Sequence, residues 1–137
     1  MDKLLSRLPF ATDWGLLILR LAVGGAMLTH GWAKLSHFTE KAPEFMNFLG
    51  IGSTASLALV VFAEFLCSIL LIVGLFTRWA TIPLIITMKV AIFMVHWQDG
   101  FGGFELAFLY LAIYALLFFA GAGKYSIDAF LRKQHTT

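Results

Sequence analysis

Four long apolar runs dominate the chain, and short polar stretches separate them. The runs cover residues 14–34, 55–76, 79–97 and 104–122. Each has about the length of a membrane-spanning helix, which needs roughly 20 mostly apolar residues. The runs also lack the alternation of polar and apolar positions that is typical of membrane barrel strands. The pattern therefore predicts an all-α membrane protein, a four-transmembrane-helix bundle that forms a single domain over residues 1–137.

Two shorter segments have the pattern of surface helices. In residues 43–49 a proline precedes apolar residues spaced three and four apart, which predicts a short interfacial helix in the first outer loop. Residues 129–134 have amphipathic spacing and follow Ser126 and Asp128. Because serine and aspartate commonly cap helix N-termini, we expect these two residues to cap a short C-terminal helix.

The composition excludes a soluble domain. Hydrophobic residues make up 60% of the 137 residues, charged residues only 13%, and the mean hydropathy is +0.85. The formal net charge is +2. The basic residues form no concentrated patch, so the sequence indicates no nucleic-acid partner.

The basic residues instead predict the orientation, because the cytoplasmic flanks of membrane helices collect lysine and arginine. Six lie in the terminal segments and in the connection between the second and third runs: Lys3, Arg7, Arg78, Lys124, Arg132 and Lys133. The opposite side has only Lys34 and Lys41. We therefore expect a multi-pass protein of a bacterial or archaeal cytoplasmic (inner) membrane with both termini in the cytoplasm.

Seven ionisable residues lie inside or at the ends of the apolar runs. In hydrocarbon such groups are costly unless they are paired or hydrated, so they mark a functional interior by default. We therefore consider them candidates for ligand binding or proton relay: Arg20, His30, Lys34, Glu64, Lys89, His96 and Glu105.

Two of these candidates lie near the middle of the bilayer. At 1.5 Å per residue, Glu64 is roughly 18 Å and Lys89 about 15 Å from the cytoplasmic side. We expect Glu64 to pair with Lys89, with Arg20 or with both, because a lone charge at that depth is not tolerated. The alternative is that Glu64 relays protons or hydrogen-bonds a ligand between the helices.

Four other candidates form an expected outer polar cluster: His30, Lys34, His96 and Glu105. Lys34 could simply extend to the membrane surface. The two histidines could ligate a haem or a metal, but their spacing matches no metal motif, and interfacial hydrogen-bonded histidines are the better interpretation. A hydrated vestibule that admits a polar headgroup is the third alternative.

Two glycines of the first run share a helix face with Arg20 and Lys34. Gly24 and Gly31 are seven residues apart, which places both on that face. Because glycine lets a neighbouring helix approach closely, we expect both to be packing positions.

Several motifs resemble the DoxX family of small bacterial and archaeal membrane proteins. They are Leu19-Arg20-Leu21-Ala22-Val23-Gly24, His30-Gly31-Trp32-Ala33-Lys34-Leu35, Glu64 followed by Gly74-Leu75-Phe76-Thr77-Arg78, Gly103-Phe104-Glu105-Leu106-Ala107, and Gly121-Ala122-Gly123-Lys124-Tyr125-Ser126-Ile127-Asp128. The resemblance implies a four-helix bundle in the cytoplasmic membrane, with these family-typical positions: Arg20, Gly24, His30, Gly31, Lys34, Glu64, Glu105 and Asp128. It also implies a link to redox work, since some relatives belong to a thiosulfate:quinone oxidoreductase or to a mycobacterial complex concerned with oxidative stress and thiol homeostasis.

Two classes of function follow. The first is a redox-associated membrane subunit, linked to quinone and to oxidative or thiol stress, that binds a quinone headgroup beside its ionisable residues. Its partners would be the lipid bilayer, a quinone, a redox protein and further copies of the chain. The second is a non-enzymatic accessory protein or a carrier of protons or small solutes. A bound quinone would favour the first class, and a fully paired salt-bridge interior with no cavity would favour the second.

Overall fold

The protein is a bundle of four long helices with two short ones at its ends. A computed structural model describes residues 9–136. Within that range the chain contains helices and no strand. In chain order the helices are α1 (Pro9–Ser36), α2 (Phe38–Lys41), α3 (Ser53–Val73), α4 (Thr77–Val95), α5 (Phe101–Ala120) and α6 (Ile127–His135).

The predicted fold class is confirmed. Helices α1, α3, α4 and α5 are long and apolar enough to cross a membrane. Each overlaps one of the apolar runs, although α1 begins at Pro9 and extends five residues further towards the N-terminus than predicted. Lys3 and Arg7, which contribute to the orientation prediction, lie outside the described residues.

Helices α1 and α3 pack most extensively, and α4 packs along α5. Contacts between α3 and α4 come mainly from the later part of α3, from Phe62 onwards. One apolar core joins the four helices, and its fully buried side chains include Leu71, Leu84, Tyr114 and Leu117. The bundle is therefore closed around its middle, while the first turns of α3 stand apart from α4.

The connection between α1 and α3 contains short helical turns rather than one helix over residues 43–49. After α2, 3₁₀ turns form at Ala42–Glu44 and Phe48–Gly50, and the intervening backbone is extended at Phe45. Phe38 and Phe45 pack with Leu57 of α3 in a second small core. Phe38 and Phe45 thus turn towards the bundle, and no continuous helix forms over residues 43–49. We call the end of the bundle formed by residues 37–52 and 96–100 the distal end.

The opposite, basal end is formed by residues 74–76 and 121–128. Here Arg20 is 1% exposed and donates hydrogen bonds to the carbonyl oxygens of Ala122 at 3.2 Å and Tyr125 at 2.8 Å. The prediction that Arg20 pairs with Glu64 is wrong. Arg20 packs beside Gly74, ten residues beyond Glu64 along α3, so about 15 Å of helix separates the two side chains.

Asp128 joins the C-terminal segment to the start of α4. Its carboxylate accepts hydrogen bonds from the backbone nitrogens of Phe76 at 2.8 Å and Thr77 at 3.0 Å. The prediction that Asp128 caps α6 is therefore wrong, because its side chain satisfies the N-terminus of α4 instead. Ser126 does cap α6, since its hydroxyl accepts a hydrogen bond from the Ala129 nitrogen at 3.2 Å.

Candidate functional site

A cavity of about 630 Å³ opens near the distal end between α1, α3, α4 and α5. Most of its wall is apolar, and Phe45, Met46 and Phe48 of the first connection contribute to it. Its polar lining residues are His30, Lys34, Ser56, Glu64, Thr87, His96 and Tyr110. A volume between about 300 and 1,000 Å³ with few polar groups is typical of small-molecule sites.

The cavity extends to the surface of the bundle between α3 and α4. Its lining residues Leu59 and Phe62 on α3 and Ile86 on α4 are each about half exposed, at 54%, 46% and 51%. This is the side on which the first part of α3 stands apart from α4. Because these helices are membrane spans, the opening faces the lipid, and a lipid-soluble molecule could enter sideways.

An ion pair between Lys34 and Glu64 forms the polar part of the wall. The Lys34 ammonium donates a hydrogen bond to Glu64 Oε2 over 2.7 Å, and the two side chains are 24% and 7% exposed. The prediction that Glu64 pairs with Lys89 or Arg20 is wrong, and Lys34 points into the bundle instead of extending to the membrane surface. The two charges that meet come from α1 and α3, which pack along each other.

A close approach of α1 to α3 sets this pairing. A Cβ atom on Gly31 would lie 2.6 Å from the carbonyl carbon of Glu64 and 2.6 Å from the nitrogen of Phe65. Only glycine therefore allows this contact, which brings the two helices level at Gly31 and Glu64. Lys34 is one turn further along α1, so its long side chain reaches back to the carboxylate. Gly24 belongs to the same contact between α1 and α3, where it lies against Ile72 and the Ser68 carbonyl oxygen.

Two π-helical segments flank the cavity. Residues Phe62–Cys67 of α3 carry Glu64, and residues Ala91–Val95 close α4. A π-helical turn contains an extra residue, which widens the helix and redirects its side chains, and such turns occur frequently at functional sites. Both segments contribute lining residues to the cavity, so the backbone irregularities of the two spans coincide with it.

The ion pair keeps unused hydrogen-bonding capacity. An ammonium group has three donors and a carboxylate has two acceptor oxygens. Among the described residues, Glu64 Oε2 is the only hydrogen-bond partner of the Lys34 ammonium, and Glu64 Oε1 has none. Both residues line the cavity. A ligand with a carbonyl or hydroxyl group could thus bond to either member of the pair without breaking it.

Aromatic and imidazole groups lie beside the pair. The His30 ring meets the Tyr110 ring edge to face, with 6.4 Å between the ring centroids, and both residues line the cavity. Tyr110 stacks in turn on Tyr114, whose buried hydroxyl has no hydrogen-bond partner within residues 9–136. The two tyrosines, four residues apart in an apolar helix, are a signal that the sequence analysis missed.

His96 contributes to the cavity from the turn after α4. Its Nδ1 lies 3.2 Å from Asp99 Oδ2, a contact that the sequence analysis did not anticipate. The cavity thus brings together three members of the predicted outer cluster, His30, Lys34 and His96, and adds Glu64 to them. In the part of the chain that the structure describes, no group of three or more histidine, cysteine or acidic residues could hold a metal ion.

Besides Arg20, two further candidates lie outside the cavity. Lys89 and Glu105 are exposed on the exterior of α4 and α5 and do not line the cavity. The prediction that Glu105 belongs to the outer polar cluster is therefore wrong. In α4 the buried residues Leu84 and Met88 face the core, and Lys89, one residue after Met88, is rotated by about 100° away from it.

Comparison with known proteins agrees with the helical pattern. The DoxX family model matches residues 15–97, which include α3, α4 and most of α1. An uncharacterized protein of Haemophilus influenzae is 37% identical over 123 residues, 82% of this chain and 87% of that protein. An uncharacterized membrane protein of Mycobacterium tuberculosis is 30% identical over 135 residues, 86% of this chain and 82% of that protein. No solved structure gives a significant match.

Proposed function

The chain belongs to the DoxX family of membrane proteins, and from this premise we propose that it is a quinone-binding membrane subunit of a redox assembly. The observation that supports the proposal most is the cavity beside the Lys34–Glu64 pair, which opens to the lipid between α3 and α4. A quinone is itself lipid-soluble, carries a flat apolar ring and presents two carbonyl oxygens.

The lining fits the parts of such a molecule. The apolar and aromatic wall would hold the ring, and the tail would leave through the opening between Leu59 and Ile86. The Lys34 ammonium would donate a second hydrogen bond to a quinone oxygen while still holding Glu64. Specific polar groups in a mostly apolar pocket are the usual way in which a small-molecule site sets the orientation of its ligand.

The ionisable pair would also serve the proton chemistry of a quinone. Reduction to the quinol takes up two electrons and two protons, and the electrons would come from an associated redox protein. Glu64 lies where it could hold a proton next to the bound headgroup, with Lys34 stabilising its carboxylate between transfers. The chain would thus bind the quinone and manage protons, while a partner protein carries the electrons.

The proposal includes an orientation. The excess of basic residues in the terminal segments would place the basal end in the cytoplasm of a bacterium or archaeon. The cavity would then lie in the outer half of the cytoplasmic membrane.

A titration of the purified protein in lipid nanodiscs with a short-chain ubiquinone tests the proposal. We expect one quinone per chain, bound at least about tenfold more weakly by Lys34→Met and Glu64→Gln, because a hydrogen bond to a charged group is worth about 1.5–3 kcal/mol. Lys41→Met and Glu40→Gln are matched controls, since both residues are exposed and lie outside the cavity lining.

Equal quinone binding by all four variants would contradict the proposed site. Absence of binding by the wild type would contradict the proposal that the ligand is a quinone. The same preparation in liposomes then tests the alternative of a carrier. Proton or small-solute flux that Glu64→Gln abolishes would support a carrier. Absence of both flux and quinone binding would favour a non-enzymatic accessory protein.

A further inference from the structure

Two unpaired charges of opposite sign lie on the exterior of the α4–α5 pair. Lys89 and Glu105 are both exposed, and neither has a hydrogen-bond or ion-pair partner among residues 9–136. Each belongs to a helix that is long and apolar enough to cross a membrane. A charge that faces lipid without a partner is costly, so membrane proteins rarely retain one.

The neighbouring exposed residues are apolar, as is typical of a surface that contacts hydrocarbon. On α4, Lys89 shares its outer row with Ile82 and Phe93, which are 37% and 60% exposed. On α5, Phe101, Phe108 and Leu109 surround Glu105 and are 57%, 47% and 51% exposed. These large apolar side chains suit lipid or another helix, but the two charges suit only a polar partner.

The two charges lie at similar heights. Lys89 precedes the end of α4 at Val95 by six residues, or about 9 Å, and Glu105 follows the start of α5 at Phe101 by four residues, or about 6 Å. A short turn joins these two helix ends, and the helices run antiparallel. The flexible lysine side chain covers the small difference in height.

We propose that a second copy of this chain covers the α4–α5 surface, with Lys89 of each copy paired to Glu105 of the other. A two-fold axis along the membrane normal keeps both copies in the same orientation and preserves heights. It therefore brings Lys89 opposite the partner's Glu105 and Glu105 opposite the partner's Lys89, which satisfies all four charges in one closed dimer. The surface is self-complementary in charge, and this identifies the chain itself as the partner.

Charge reversal in two differently tagged full-length copies, expressed in the same membrane, tests the dimer. We expect Lys89→Glu and Glu105→Lys each to weaken self-association at least about tenfold, because each creates two like-charge contacts. Mixing the two single variants should restore association, since every contact in the mixed dimer is then complementary. The double variant K89E/E105K should associate with itself as the wild type does.

Lys41→Glu and Glu44→Lys are the matched controls, because both residues are exposed in the connection at the distal end. Two measurements give the readout. The number of photobleaching steps in single fluorescent complexes counts the copies, and affinity purification through one tag shows whether the copy with the other tag is bound. A monomeric wild type, or single variants that associate normally, would overturn the proposal. Rescue in the double variant without rescue in the mixture would also overturn it, because that result indicates pairing within one chain.

A cross-linking experiment keeps the test decisive if a charge reversal prevents folding. One copy carries Lys89→Cys and the other Glu105→Cys, both in a Cys67→Ala background that removes the buried native cysteine. A short bifunctional thiol reagent should join the two copies in the membrane. Absence of this product, with each variant inserted at the wild-type level, would refute the dimer.

Discussion

The two ends of the bundle use ionisable side chains in opposite ways. At the basal end Arg20 bonds to two carbonyl oxygens of a turn, and Asp128 bonds to two backbone nitrogens. At the distal end Lys34 and Glu64 bond to each other beside an open cavity and keep free donors and an acceptor. A charge is therefore structural where backbone groups hold it, and available for chemistry where its free donors or acceptors line a cavity.

Replacement of Arg20 by methionine should have the largest effect on stability. It leaves the carbonyl oxygens of Ala122 and Tyr125 without their buried donor, which should lower the free energy of unfolding by about 3 kcal/mol. Denaturant titration in micelles measures this loss. The control Arg78→Met removes one bond of 3.3 Å from an exposed arginine and should cost less than about 0.5 kcal/mol. Equal losses of unfolding free energy in the two variants would contradict the structural role of Arg20.

Replacement of Gly31 by alanine should disturb the distal end. The new Cβ would collide with the Glu64 backbone, so α1 and α3 must separate, at a cost of about 2 kcal/mol. The Lys34–Glu64 pair should open, and quinone binding should weaken with it. Gly25→Ala in the same helix has open space around the added methyl group and should stabilise the protein by up to about 1 kcal/mol. Equal stability and equal quinone binding in the two variants would contradict the close contact of α1 with α3 at Gly31.

Replacement of Asp128 by alanine should weaken the basal end more modestly. The backbone nitrogens of Phe76 and Thr77 at the start of α4 lose their cap, which typically costs about 1 kcal/mol. Ligand binding should be unchanged, because the cavity lies at the other end. Unfolding and quinone titrations on the same sample check both statements, and a loss of binding would show that the two ends are coupled.

Joint replacement of Lys34 by methionine and Glu64 by glutamine should have the smallest effect on stability. Buried ion pairs replaced as a unit often cost little, so we expect a change below about 1 kcal/mol. Quinone binding should nevertheless be lost. This outcome would show that the distal pair serves binding, whereas Arg20 serves stability. A large loss of stability without loss of binding would instead show that the distal pair is structural as well.

Much of the fold, and part of the site, could be predicted from the sequence. The pattern of apolar residues predicted four spans, and the rarity of charges in membranes pointed to Lys34, Glu64 and His30. The choice of partners was wrong because heights were counted separately along each run. Arg20 lies level with Gly74 at the basal end, ten residues from Glu64 along α3, and the rotation of α4 turns Lys89 outwards.

The sequence by itself determined that the chain forms four membrane helices. Each segment needs only sufficient length and apolarity to span the bilayer, and both are properties of that segment alone. Only the tertiary structure decided which charges meet. That outcome depends on the rotation of each helix and on its height relative to its neighbours, and the contact of Gly31 with the Glu64 backbone sets both for α1 and α3. The same packing turns Lys34 into the cavity, while the rotation of α4 turns Lys89 out towards the lipid.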